Sequence, residues 1–367
     1  MSKALLYLSI LCFYLGGENC FAQQIVRGFV VDSSTQKPIE GAAVFFDKTT
    51  YGTITNKNGF FVLKSREQTK SPLIIRYLGY QPEKIIDPPQ QKNVKFLLKK
   101  KEEGLEAVWI NTKHQKKEKP KKLSDENEKY EALSLFKYFF LGTRFHIYDT
   151  KILNEDALDY YITEDKLQII ISAKEPLVIE NEYLDYKITY FLEGFVLYRK
   201  MSEIVSKPVT DYYEYHGTAL FKDLQKPGRI RKKFRRRRNE MYYGSRLHFM
   251  RALANNELEN HGFKTFNIEA DSINIQTITK EDFTEVLPPK ESLVIHKIDM
   301  IHIKRTKNQD TIKHYIKSAA SSIHAKRNFG IDKMGNFFPW NALIFEGRFG
   351  REGMARALPL DFNPYPN

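Results

Sequence analysis

The sequence predicts a mainly β protein: an N-terminal β-sandwich followed by an α+β domain with an antiparallel sheet. Three observations carry that prediction. Short apolar runs separated by turn residues recur through the first hundred residues, the signature of a sandwich. Longer alternating runs rich in Tyr, Phe and Ile follow from residue 156, with helical periodicity in only two segments. The chain has 367 residues, 42% hydrophobic and 13% aromatic, enough for two packed cores. Wholesale disorder is excluded by that composition. A multi-span membrane protein is excluded because no apolar run reaches the ~18–20 residues a helix needs to cross.

Residues 1–22 read as a secretory leader. Lys3 precedes the apolar stretch Ala4–Gly16, and Ala22 offers a cleavage point before Gln23-Gln24. Both cysteines, Cys12 and Cys20, lie inside it. The mature chain is therefore expected to have no disulfide, no thiolate metal site and no cysteine nucleophile. It is also expected to have no transmembrane span once the leader is gone. A bacterial periplasm or outer membrane suits an exported, thiol-free domain.

The sandwich is predicted over 24–99. Ile25–Asp32 forms a strand with Ile25, Phe29 and Val31 on one face; Gly41–Asp47, Tyr51–Thr55, Phe60–Leu63, Pro72–Leu78 and Val94–Leu98 follow. Asn56-Lys57-Asn58-Gly59 is a turn, because Asn and Gly tolerate positive φ. The motifs Gly28-x-Val30-x-Asp32, Pro38-Ile39-x-Gly41-Ala42-x-Val44, Gly52-Thr53-x-Thr55-Asn56-x-x-Gly59-x-Phe61 and Tyr77-x-Gly79-Tyr80 occur in order. This run resembles the carboxypeptidase-regulatory-like domain, a transthyretin-like sandwich common in exported Bacteroidetes proteins. The resemblance covers about a fifth of the chain and implies an accessory module without peptidase activity. Asn56 stands where the family often has Asp, which weakens any idea of a cation at that turn.

A Lys-rich linker is predicted over 100–127. Within it, Leu105–Asn111 resembles the strand that follows this sandwich in TonB-dependent outer-membrane receptors; the roughly 250 residues beyond it are too few for a receptor barrel. The second domain is predicted over 128–367. Glu128–Leu141 and Gly244–Asn260 read as helices, the latter with Ser245 as N-cap and Gly262 as its stop. Asp156–Ile162, Lys166–Ala173, Leu177–Glu180, Tyr183–Tyr198, Thr210–Leu220, Phe263–Glu269, Leu293–Lys304 and His314–Ile323 read as strands. With Ile152-Leu153-Asn154, Pro176-Leu177-x-Ile179-x-Asn181, Tyr242-Tyr243-Gly244-Ser245-x-x-His248-Phe249 and Leu358-Pro359, this half also resembles uncharacterised C-terminal halves found behind the same sandwich in Bacteroidetes envelope proteins, which implies no activity.

The charge is concentrated. Lys222–Arg238 holds ten Lys/Arg and one Asp, and Lys99–Lys122 nine Lys and four Glu. Those two stretches account for the whole formal net charge of +13, leaving the remainder near neutral. Arg229, Arg231, Lys232, Lys233, Arg235, Arg236, Arg237 and Arg238 form a ribbon that no hydrophobic core requires. The expectation is that they bind anions, since Arg forks suit phosphate and carboxylate groups. Envelope glycan, anionic lipid or an outer-membrane protein are the expected partners. Nucleic acid is set aside because an exported protein seldom meets it. The bland alternative is a solvated loop, or arginines paired with internal acids.

No catalytic motif stands out. There is no His-Glu-x-x-His, no Gly-x-Ser-x-Gly and no phosphate-cradling Gly-rich loop, so no metal or cofactor is predicted. His296 and His302 would share a strand face but lie about 20 Å apart. The leading expectation is a non-enzymatic cell-envelope binding or assembly protein. The alternative is a hydrolase acting on envelope peptide or glycan through acids of the second domain, with Glu180, Glu182 and Asp185 beside Tyr183 and Tyr186 as the candidates.

Overall fold

The computed structural model describes residues 24–66, 69–89, 94–101, 120–142, 149–226, 228–267, 276–279, 284–287, 291–296, 321–339 and 342–366. The leader over 1–22, the strand at 105–111 and His302 lie outside the described residues, as do most of the linker and most of the 314–323 strand.

The front unit is a two-sheet sandwich of β1 (Gln24–Asp32), β2 (Ala43–Phe46), β3 (Gly52–Ile54), β4 (Phe60–Ser65), β5 (Leu73–Arg76), β6 (Glu83–Ile85) and β7 (Val94–Leu98). One sheet runs β4-β1-β7, the other β3-β2-β5-β6. β1 pairs antiparallel with β4 and parallel with β7. Gly28 permits the latter: a Cβ there would stand 2.3 Å from the Val94 carbonyl oxygen. The Asn56 carboxamide accepts from the Asn58 and Phe60 N–H groups at 3.0 Å each, closing the predicted turn. Val26, Val30, Val44, Phe46, Phe61 and Phe96 fill the space between the sheets. Of the two faces that alternation gives β1, the one carrying Val26 and Val30 turns inward. Val26 and Val30 are fully buried, while Ile25 and Phe29 are half-buried on the outside.

The second unit begins before residue 128. Strand β8 (Lys121–Lys122) and helix α1 (Glu126–Leu141) both belong to it. Asp125 caps α1 by accepting from the Asn127 and Glu128 N–H groups. Then come β9 (Thr150–Ile152), β10 (Leu158–Ile162), β11 (Gln168–Ala173), β12 (Leu177–Asn181), β13 (Tyr186–Met201) and β14 (Pro208–Asp223). They form one antiparallel sheet in the order β8-β10-β11-β13-β12-β9, with β14 paired along β13. A bulge between Leu192 and Gly194 shifts which residues of β13 face inward. Tyr186, Ile188, Tyr190 and Leu192 precede it in the core, and Phe195 and Leu197 follow. α1 covers that face, with Phe136 and Phe140 against Phe195, Tyr190 and Tyr215.

Beyond β14 the chain forms α2 (Lys232–Tyr242) and α3 (Arg246–Ala254). Ser245 caps α3 as predicted, accepting from the His248 N–H. α3 ends six residues early, where Asn255 caps it and Asn256 takes φ 57°. Two small antiparallel sheets follow. Their strands are β15 (Phe263–Asn267), β16 (Gln276–Thr279), β17 (Thr284–Leu287), β18 (Glu291–His296), β19 (Ser321–Ala325), β20 (Phe329–Ile331), β21 (Phe337–Phe338) and β22 (Leu343–Phe345), with a short α4 (Gly347–Gly350).

The sandwich is not a free-standing module. Its β3-β2-β5-β6 sheet packs on the outer face of β13 and β14. Phe45 stacks on Phe191 with ring centroids 5.4 Å apart. Arg76 lies over the same ring and pairs with Glu193 at 2.9 Å. Gly52 leaves room for Leu220. The backbone joins as well: Lys48 N–H donates to the Ala219 carbonyl at 2.7 Å, and Phe221 N–H to Thr49 at 2.9 Å. Three carboxylates seal this seam by accepting backbone N–H groups across it. Asp47 takes Ala219, Asp361 takes Thr50, and Asp332 takes Lys70. Burial raises the pKa of each, that of Asp332 to about 6.

Candidate anion-binding face

The basic ribbon is a helix and its lead-in, not a loop. α2 buries Phe234, Arg238, Met241 and Tyr242, the i, i+4, i+7, i+8 stripe of one helical face. Lys232, Lys233, Arg235 and Arg236 point to solvent, together with Arg229 and Arg231 of the lead-in, while Arg237 is half-buried.

Arg238 departs from the predicted ribbon. Its side chain is 0% exposed. It donates to both Asp223 carboxylate oxygens at 2.7 and 2.8 Å and to the Leu184 carbonyl at 2.9 Å. Its guanidinium lies 3.9 Å from the Tyr186 ring centroid. Burial works against its charge, but the Asp223 hydrogen bonds and the nearby charges more than offset this, so its pKa is raised. Arg238 is thus an internal ion-pair residue and leaves the set of anion-facing groups. The remaining seven ribbon cations keep at least part of their surface.

Aromatic rings hold several of the exposed cations. Arg237 lies 4.2 Å over Tyr183, and Arg235 5.6 Å over Tyr365. Arg231 and Lys233 flank Phe234 at 4.7 and 4.6 Å. A guanidinium over a ring can still present N–H edges to an anion; Arg237 gives one to the Tyr183 carbonyl at 3.3 Å and Arg231 one to Gln225 at 3.4 Å. Tyr365 belongs to the C-terminal tail, which Asn239 fixes by a reciprocal pair of 2.9 Å hydrogen bonds. Few acids answer this charge among the described residues. Asp185 lies 3.7 Å from Arg231, and Glu240 lies 3.3 Å from Arg236.

The charge order also opposes the helix dipole. No acid occupies the first turn of α2, and Arg231 at the N-cap makes no side-chain cap. Lys232, Lys233 and Arg235 stand instead where partial positive charge already resides. Each such placement costs about 0.3–1 kcal/mol. Local rules are broken in this way at sites kept for something other than stability.

Two of the three acids proposed for hydrolysis have partners of their own. Glu182 pairs with Lys151 at 2.8 Å, and Asp185 accepts from Gln225 beside Arg231. Glu352, its pKa raised by burial, accepts the Arg246 N–H. A histidine pair missed by sequence reasoning lies nearby: His248 Nε2 is 2.9 Å from His261 Nδ1. His248 Nδ1 accepts the Gly244 N–H at 3.0 Å, so the pair serves the α2–α3 corner. In the sequence only His248 stands near the cap Ser245; nothing local links it to His261. No group of three or more His, Cys, Asp or Glu among the described residues is placed to hold a metal.

Comparison with known proteins identifies the front unit. Residues 26–110 match the CarboxypepD_reg-like domain, so this segment is a carboxypeptidase-regulatory-like domain. The chain is 33% identical over 92 residues to the TonB-dependent receptor SusC of Bacteroides thetaiotaomicron. That match covers 25% of this chain and 9% of the receptor.

Proposed function

We propose that this chain is a non-enzymatic, exported cell-envelope protein that binds a repeating anion through the solvent face of α2. One observation carries the reading: Lys232, Lys233, Arg235 and Arg236 are exposed together on a helix whose opposite face is anchored by Phe234 and by the Arg238–Asp223 pair. The face is the convex side of a helix, so separate cations meet separate anionic groups. That geometry fits a polymer or surface carrying carboxylate or phosphate at intervals. An acidic envelope glycan supplies such groups, and so does an anionic lipid headgroup. The shared domain type with an outer-membrane receptor supports an outer-membrane context. Among the described residues no helix is long and apolar enough to cross a membrane.

The test uses the full chain and a variant with Arg231, Lys232, Lys233, Arg235 and Arg236 changed to Gln. Titration calorimetry against polygalacturonate and against phosphatidylglycerol vesicles separates the two anion sources. The expected result is binding to at least one probe, weakening as salt rises and reduced about tenfold or more in the variant. Equal, salt-insensitive binding by both proteins overturns the reading.

A further inference from the structure

Among the described residues, a cluster of highly exposed large apolar side chains lies at the turn joining β13 to β14, at the opposite end of β14 from α2. Ile204 is 95% exposed, Met201 57% and Val205 55%. A soluble protein has no structural need for three such residues at one turn. The last ladder partner of β13 on its β11 side is Tyr198, opposite Gln168. Beyond it, β13 and β14 continue as a ribbon through Lys200↔Val209 and Met201↔Pro208. The apolar apex therefore projects past the edge of the sheet.

The ribbon is layered. Ile204 and Val205 form the apex beside Glu203, and Met201, paired with Pro208, stands one step behind them. Lys200 and Lys207 stand on either side of the apex, Lys200 already balanced by Asp211 at 2.7 Å. Behind these, Tyr198 and Tyr212 stack with ring centroids 4.2 Å apart. An apolar tip with ammonium groups and tyrosines behind it matches a lipid–water boundary, where acyl chains meet the tip and both cationic and amphipathic aromatic groups sit at the headgroup level. The turn also satisfies much of its own backbone. Ser202 N–H donates to the Lys207 carbonyl at 3.0 Å, Ser206 N–H to Ser202 at 2.9 Å, and Val205 N–H to the Ser202 hydroxyl. A segment entering hydrocarbon must meet that condition, because lipid offers its N–H groups no partner. Glu203 and Asp211 offset the two lysines, so the apolar residues supply most of the attraction.

We propose that the β13–β14 turn is a membrane-docking finger that seats Met201, Ile204 and Val205 in the upper acyl region of a lipid bilayer. The finger acts independently of the basic helix, and uncharged vesicles separate the two. The full chain is sedimented with phosphatidylcholine vesicles in about 0.5 M salt, where the cations of α2 are screened. The expected result is measurable binding that falls about tenfold in Ile204→Asp/Val205→Asp. Leu78→Asp, at an equally exposed position of the sandwich, should bind as the unaltered chain does. An Ile204→Trp chain should show a blue-shifted emission on adding vesicles. Absence of binding, equal loss in Leu78→Asp, or an unshifted tryptophan overturns the proposal. So does a concentration-dependent dimer abolished by Ile204→Asp/Val205→Asp, which would assign the apex to a second copy.

Discussion

Arg238 and Asp223 form a two-pronged ion pair, at 2.7 and 2.8 Å, that ties α2 to the end of β14. The guanidinium is wholly buried and the carboxylate is 30% exposed. Its other donor contacts reach the carbonyls of Leu184 and Asp185 in the turn before β13 and the Tyr365 hydroxyl.

Removing either partner leaves the other charge without its counter-ion. Arg238→Ala is expected to destabilise the fold by about 2–4 kcal/mol, the lower part of the buried-pair range because Asp223 keeps some water. Arg236→Gln, on the exposed face, should change stability by less than about 0.5 kcal/mol. Urea unfolding monitored by circular dichroism measures both.

The first turn of α2 offers a trade in the opposite direction. Lys232→Glu/Lys233→Glu places negative charge where the helix dipole favours it. The protein should gain about 0.5–1.5 kcal/mol of stability while its affinity for polygalacturonate or anionic vesicles falls. A variant that loses both stability and binding would contradict the dipole argument; thermal unfolding and titration on the same sample decide it.

Phe45 and Phe191 bind the two units face to face. Each single alanine substitution should cost about 3–5 kcal/mol, with a coupling of about 0.5–1.5 kcal/mol in the double-mutant cycle. The sandwich and the large sheet are expected to melt in one transition. Two resolved calorimetric transitions in the unaltered chain would show that the seam is not cooperative.

Asp332 gives the seam a pH dependence of definite sign. Its folded pKa is about 6, above the unfolded value of about 3.9. Its contribution is therefore fully present below pH ~4 and lost as pH rises through ~6, a change of about 3 kcal/mol. Asp47, Asp361 and Glu352 shift in the same direction for the same cause. Asp332→Asn should flatten this part of the profile. Urea midpoints at about pH 4.5 and 7 are expected to differ less in the variant than in the unaltered chain.

Much of the fold was legible from period and turn chemistry. Val94–Leu98 matches its predicted bounds, Asn56 makes the expected turn, and Ser245 caps the helix named for it. The inward face of β1 was not, because Ile25, Phe29, Val26 and Val30 are all apolar and alternation cannot choose between two apolar sets. α2 was hidden by its own charge. Phe234, Arg238, Met241 and Tyr242 keep a helical period, but an arginine stands where the stripe calls for a hydrophobe. The docking of the two units left a signal that went unread. Ala43–Phe46 and Leu73–Ile75 are apolar at nearly every position, as strands covered on both faces are. Seven of the eight ribbon residues keep exposed surface, Arg237 only in part; nothing local distinguishes Arg238, whose partner Asp223 lies fifteen residues back.

β14 is sixteen residues long, with the apolar turn before its first residue and the basic helix soon after its last. At ~3.3 Å per residue the strand sets these two features up to about 50 Å apart. A finger anchored in one leaflet would hold the arginines well above that leaflet's own headgroups, beyond the ~8 Å over which they could sense its charge. The strand would then serve as a spacer of fixed length, with the bilayer at one end and whatever the arginines grip held at a constant height at the other.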